Sequence, residues 1–119
     1  MHGSRQFPRS ERLQRNAQFR QVYADGRRVE GRLAVLYALD SPDTARAVGV
    51  VTSRKIGNAV ARNRARRLLR EAYRLNQHKL KDHVQLVFIA RTAINGRRFA
   101  EVESAVLGLL QTAGCLLAS

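Results

Sequence analysis

Residues 57–74, GNAVARNRARRLLREAYR, hold six arginines and one acid, Glu71. A guanidinium meets a phosphate with a planar pair of hydrogen bonds and stacks on a nucleobase, so closely repeated arginines suit a polyanion. Asn58 behind Gly57 is a good N-cap, and the Ala, Leu and Arg residues that follow favour a helix over 59–76. At ~100° per residue, Ala61, Ala65, Leu68, Leu69, Ala72 and Leu75 gather as the expected core side. Arg62, Arg66, Arg70 and Arg74 form a separate stripe, with Asn63 and Arg67 beside it and Arg64 on the other flank. A face meant only for water intersperses acids, and here Glu71 is alone, four residues after Arg67. Like charges four apart repel by about 0.2–0.5 kcal/mol per pair, so the stripe costs the free protein stability and is better explained by a bound polyanion. The helix N-terminus near Gly57 and Asn58 adds free amide donors for a phosphate.

Thr52, Ser53, Arg54 and Lys55 lead from a strand into this helix and put hydroxyls and cations at the end of a sheet. Tyr37 on the neighbouring strand, with Phe19 and Tyr23 on the first helix, can face the same cleft. Rings beside cations suit single-stranded nucleic acid, because bases stack while cations follow the phosphates. Phe19, Val22 and Tyr23, at i, i+3 and i+4, make an ordinary core stripe equally well. No His/carboxylate pair, nucleophile motif or acidic cluster is present, so a self-sufficient protein nuclease is hard to build from these residues. Asp40 and Asp43 flank a turn and read as turn residues rather than Mg²⁺ ligands. Cys115 is the single cysteine, and His2, His78 and His83 lack metal-ligand spacing.

The whole chain repeats the message of the stripe. Of its 119 residues 22 are basic and 9 acidic, for a net charge of +13, and 19 of the 22 are Arg. Self-repulsion of that size signals a polyanionic partner, with nucleic acid favoured over an anionic membrane surface. No segment reaches the roughly 20 apolar residues that span a bilayer, and MHGSRQFPRS has no apolar stretch of the kind that directs export. A cytoplasmic protein is the expectation.

These groups need a scaffold, and the patterning outlines a single α+β domain over 1–119, with 1–9 as a flexible basic leader. A first helix starts at Ser10 or, nearer the apolar residues, at Asn16, and stops at Gly26. Residues 27–30 add a short edge strand. Residues 32–39 and 45–53 read as adjacent strands, most simply an antiparallel hairpin through the turn at 41–43. VQLVFIAR (84–91) is a near-continuous apolar strand covered on one face or both, and 98–114 form a last amphipathic helix closing at Gly114. The order is αβββαβα, helices packed on one sheet.

KIGNAVARNRARRLLREAYR (55–74) closely resembles the signature of the bacterial ribonuclease P protein subunit family. Gly57-Asn58-Ala59-Val60, Arg62-Asn63-Arg64, Arg67-Leu68 and Arg70-Glu71 are in register, and LQRNAQFRQVYADGRRV, LAVLY and VFIAR extend the likeness over roughly 12–110. The resemblance implies an αβ sandwich like domain 2 of ribosomal protein S5, with a left-handed βαβ crossover where the general rule is right-handed. It also implies one protein per catalytic RNA, the RNA and its bound Mg²⁺ cutting the 5′ leader from precursor tRNA, with no catalytic group or metal ligand on the protein. On that likeness Asn58, Arg62, Asn63, Arg64, Arg66, Arg67, Arg70 and Arg74 would face the catalytic RNA. Phe19, Tyr23, Tyr37, Ser53, Arg54 and Lys55 would hold the leader. Arg54 stands where the family often has Lys, and Tyr23 where Phe is common, each preserving charge or ring. Charge alone leaves a general RNA-binding or ribosome-associated protein as the alternative.

Overall fold

The structure, a computed structural model, describes residues 12, 13 and 16–118. In chain order it has α1 (Asn16–Asp25), β1 (Arg27–Glu30), β2 (Ala34–Asp40), β3 (Ala47–Val51), α2 (Ala59–Asn76), β4 (Val84–Ala90) and α3 (Phe99–Thr112). The αβββαβα order is therefore the one the patterning predicts. Short 3₁₀ turns at Arg54–Ile56, Gln77–Lys79 and Thr92–Ile94 join the later elements.

The helix start is the later of the two expected. Arg12 bridges Val48 in parallel and the Leu13 amide donates to the Val48 carbonyl at 3.0 Å. A helix running from Ser10 would remove that contact with β3; Ser10 itself lies outside the described residues. At the other end, the Gly26 amide closes α1 on the Val22 carbonyl at 2.9 Å, and β1 begins at the next residue.

The sheet runs β1-β2-β4-β3. β2 is antiparallel to both β1 and β4, and β3 is parallel to β4. The expected β2–β3 hairpin is thus overturned, because β4 lies between the two strands. Residues 41–46 are a link across the start of β4, held there by the Ser41 amide on the His83 carbonyl at 2.7 Å. β4, apolar almost throughout, takes the central place that buries it. A parallel β3–β4 pair needs a long crossover, and α2 supplies it.

α2 and α3 cover one face of the sheet. Leu36, Leu86 and Phe88 pack there with Leu69 and Tyr73 of α2 and Val106 and Leu110 of α3. Each such side chain contributes roughly 1.5–3 kcal/mol on burial. The core side of α2 is rotated from the expected one: Ala65, Leu69, Ala72, Tyr73 and Asn76 are buried, while Leu75 is 39% exposed. Tyr73 goes inside because its hydroxyl finds Arg46 Nε at 3.0 Å. Asn76 is satisfied too, its Nδ2 donating to the Ala72 carbonyl at 2.9 Å and to Glu103 Oε2 at 2.8 Å. On the opposite face the ten residues of α1 cover a smaller core of Leu13, Val22, Ala47 and Val87. That short helix leaves Tyr37, Val51 and Ile89 half-buried. Among the described residues no helix is long and apolar enough to cross a membrane.

Candidate nucleic-acid interface

The N-terminus of α2 folds as its sequence dictates. Asn58 Oδ1 accepts from the Ala61 amide at 3.0 Å and caps the helix. Gly57 holds φ at 141°, a region closed to most side chains. Its amide donates to the Arg54 carbonyl at 3.1 Å, and its carbonyl accepts from Arg62 Nη1 at 2.7 Å. The Gly57 amide is therefore not a free donor, contrary to expectation, and Asn58 spends Oδ1 on the cap. Ala59 and Val60, both exposed, carry the open amides of the first turn.

The arginine stripe is anchored at several points. Arg66 Nη1 donates to Thr52 Oγ1 at 2.5 Å and Nη2 to Asn63 Oδ1, so α2 is tied to the end of β3. Arg64, on the other flank, donates to the Arg97 carbonyl at 2.5 Å. Glu71 pairs with Arg74, at 2.9 Å from Nε and 2.5 Å from Nη2, not with Arg67. The resulting pull of Arg74 lowers the Glu71 pKa. Arg67 is exposed and Arg70 half-buried.

Arg12, which the sequence reading missed, completes this face. It joins Asn63, Arg66, Arg67 and Arg70 around a cleft of about 350 Å³, with Glu71 and Arg74 at its far end. Burial first, then repulsion from Arg12 and Arg66, lowers the Arg70 pKa. The group stays charged at any physiological pH, and the lesser, repulsive cause is positive potential that an anion would relieve. The bridge to Val48 brings Arg12 here, and nothing local in the sequence announces it.

A second array crosses the other face. Arg28 pairs with Tyr37, Tyr37 with Val87, and Val87 with Gly49, one row across all four strands. At its β1 end Arg28 Nε donates to the Tyr37 hydroxyl at 3.1 Å, and the guanidinium carbon lies 6.0 Å from the ring centroid. Tyr23 meets Tyr37 edge-on at 5.0 Å between centroids and 79° between planes. Phe19 follows at 6.5 Å from Tyr23, above Gly49. Of the three α1 residues that read as a core stripe, Val22 alone is fully buried; Phe19 and Tyr23 line the open part of the sheet. Burial, then Tyr37, raises the Tyr23 pKa.

Ser53, Arg54 and Lys55 are exposed beyond Val51 and Ile89, the last paired residues of β3 and β4. Ser53 Oγ accepts from the Lys55 amide at 3.3 Å. Ser53 and Lys55 line a hollow of about 270 Å³ with Arg91 and Thr92, whereas Arg54 is not among its walls. Arg91 was legible as the cation closing the apolar run VQLVFIAR, yet the sequence reading gave it no role. The predicted residues thus assemble in two places, a basic helix face and a sheet face edged by hydroxyls and cations, joined by the Arg66–Thr52 contact.

A four-stranded α+β sandwich with an arginine-lined helix beside an aromatic sheet face defines a small basic protein built for a polyanion. The chain belongs to the Ribonuclease P family, whose profile matches residues 7–114. The ribonuclease P protein component of Clostridium acetobutylicum is 39% identical over 112 residues, which cover 92% of this chain and 93% of that protein. The same component of Clostridium novyi is 40% identical over 109 residues, covering 89% and 96%. In fold, the RNase P protein of Staphylococcus aureus superposes with a TM-score of 0.83 at 24% identity, over 92% of this chain and all of that one. The RNase P protein of Thermotoga maritima superposes at 0.77 with 25% identity, over 86% and 96%.

Proposed function

We propose that this chain is the protein component of a ribonuclease P ribonucleoprotein, holding the catalytic RNA on the α2 face and the 5′ leader of precursor tRNA on the aromatic sheet face. The Arg66–Thr52 contact carries the reading. It makes the basic helix and the sheet end two walls of one unit, so an RNA seated on α2 lies beside a strand running over Tyr37 and Phe19. Arg12, Arg62, Arg66, Arg67 and Arg70 neutralise phosphates and release counterions. Arg74 contributes less, since Glu71 already occupies its fork. Phe19, Tyr23 and Tyr37 offer ring faces to unpaired bases at about 1–3 kcal/mol each, and Ser53, Arg54 and Lys55 take the following phosphates.

The chemistry of cleavage is assigned to the RNA. Among the described residues no three of His, Cys, Asp and Glu come together as a ligand set for a metal ion, so in this proposal the RNA binds Mg²⁺ and no step is routed through a protein-bound ion. The protein's part is electrostatic: it lowers the Mg²⁺ needed to fold clustered phosphates and favours precursor over product by gripping the leader. The test compares precursor with mature tRNA on the complex of this protein with a ribonuclease P RNA. A leader-dependent gain in affinity that Phe19→Ala diminishes is expected. Equal affinity for the two tRNAs would return the chain to general RNA binding.

A further inference from the structure

A third hollow lies away from both arrays, between the β1–β2 turn and α3. It is an open depression of about 500 Å³, within the size range of small-ligand sites. Leu33, Ala100 and Ala105 give it apolar walls, and Arg32 and Arg97 line it with them. Arg32 is exposed at the tip of the turn. Arg97 is fixed, its Nε on the Ala93 carbonyl at 3.2 Å and its Nη1 on Glu101 Oε2 at 3.2 Å. The one acid lining it is already engaged, because Glu101 also accepts from the Arg98 amide at 3.0 Å. Arg91, reaching the Gly31 carbonyl at 3.4 Å, adds a cation behind the turn. The chain beside the hollow is tied to the basic helix: Arg64 of α2 donates to the carbonyl of Arg97 itself.

We propose that this hollow takes one unpaired nucleotide of the RNA partner, its base against the apolar walls and its phosphate on Arg32. The inference rests on the RNA-binding reading above and adds to it a contact outside both the α2 stripe and the aromatic row. Apolar walls shared with two arginines match the chemistry of a nucleotide, since arginine planes stack on bases and also hydrogen-bond phosphates. The exposed turn residue Arg32 and Arg97, held by Ala93 and Glu101, divide these tasks. The nucleotide belongs to the catalytic RNA or to the precursor, and the chemistry of the hollow is the same for both.

Three full-length variants test binding to a bacterial ribonuclease P RNA, alone and with leader-bearing precursor tRNA, and a fourth identifies the source of the nucleotide. Arg32→Ala should weaken binding about tenfold and make the dependence on log salt shallower by about 0.7, the loss of one single-strand phosphate contact. Ser104→Phe, at an exposed position on the wall, fills the hollow without removing charge, and should weaken binding about tenfold with the salt slope unchanged. Arg66→Ala is the control for the helix face. A photo-crosslinker on Ser104→Cys, with Cys115 buried and out of reach, should mark one nucleotide, and whether it lies in the catalytic RNA or the precursor identifies the source. Parental affinity and slope in both Arg32→Ala and Ser104→Phe, with Arg66→Ala weakened, would overturn the nucleotide site and leave the RNA-binding reading standing. Parental binding in all three would overturn both.

Discussion

The ring of Phe19 occupies the space that a side chain on Gly49 would need: a Cβ built there would lie 2.5 Å from Phe19 Cε1. The glycine lets α1 bring an aromatic ring close onto β3 and so sets the far end of the ring row. Gly49→Ala should displace that ring, lowering stability by about 1–3 kcal/mol and weakening the preference for leader-bearing tRNA. Urea unfolding beside precursor and product affinities measures both. Unchanged values for the two would mean that the ring is not held there.

Tyr37 separates ring from hydroxyl. Its OH accepts from Arg28 Nε, an exposed contact, while its ring stands edge-on to Tyr23. Tyr37→Phe should leave leader preference within about 0.5 kcal/mol of the parent, whereas Tyr37→Ala should reduce it by about 1–3 kcal/mol. Equal effects of the two substitutions in a precursor-binding titration would assign the role to the hydroxyl instead.

Arg66 is expected to matter twice, as a phosphate contact and as the tie to Thr52. Arg66→Ala should make the log-salt dependence of catalytic-RNA binding shallower by up to about one unit, and Arg62→Ala should behave alike. Arg74→Ala should change the slope less, because Glu71 already neutralises that guanidinium. Equal slopes for the parent, Arg62→Ala and Arg66→Ala would make the stripe a solvated face.

Cys115 gives a pH signature. Burial raises its thiol pKa, with Arg27 opposing. The unfolded thiol ionises first, so stability is full below about pH 8.5 and declines as pH rises through the folded value. Cys115→Ala should flatten this alkaline decline in thermal melts between pH 7 and 10, and a decline of parental size in that variant would assign it to other groups.

Local signals carried much of the fold. Residues 59–76 have a cap, strong helix formers and no breaker, and α2 spans those residues. Pairing was illegible where it depends on distant chain: the turn at 41–43 suggests a hairpin equally well whether or not a later strand enters between its arms, and β4 does. The rotation of α2 escaped for a similar reason, since Tyr73 is buried by virtue of Arg46, 27 residues away. Within the candidate site, the α2 stripe and the three rings were readable from spacing. Arg12 was not, because a bridge to β3 brings it in; Arg91 shows as the cation closing VQLVFIAR, but its place beside Ser53 and Lys55 depends on the parallel alignment of β3 and β4.

The most direct measurement is reconstitution with a ribonuclease P RNA at Mg²⁺ too low for the RNA to act alone. If the protein holds that RNA and the leader, adding it should restore removal of the 5′ leader, and Arg66→Ala and Phe19→Ala should restore less. No stimulation at any salt concentration by a folded parent protein would contradict the account.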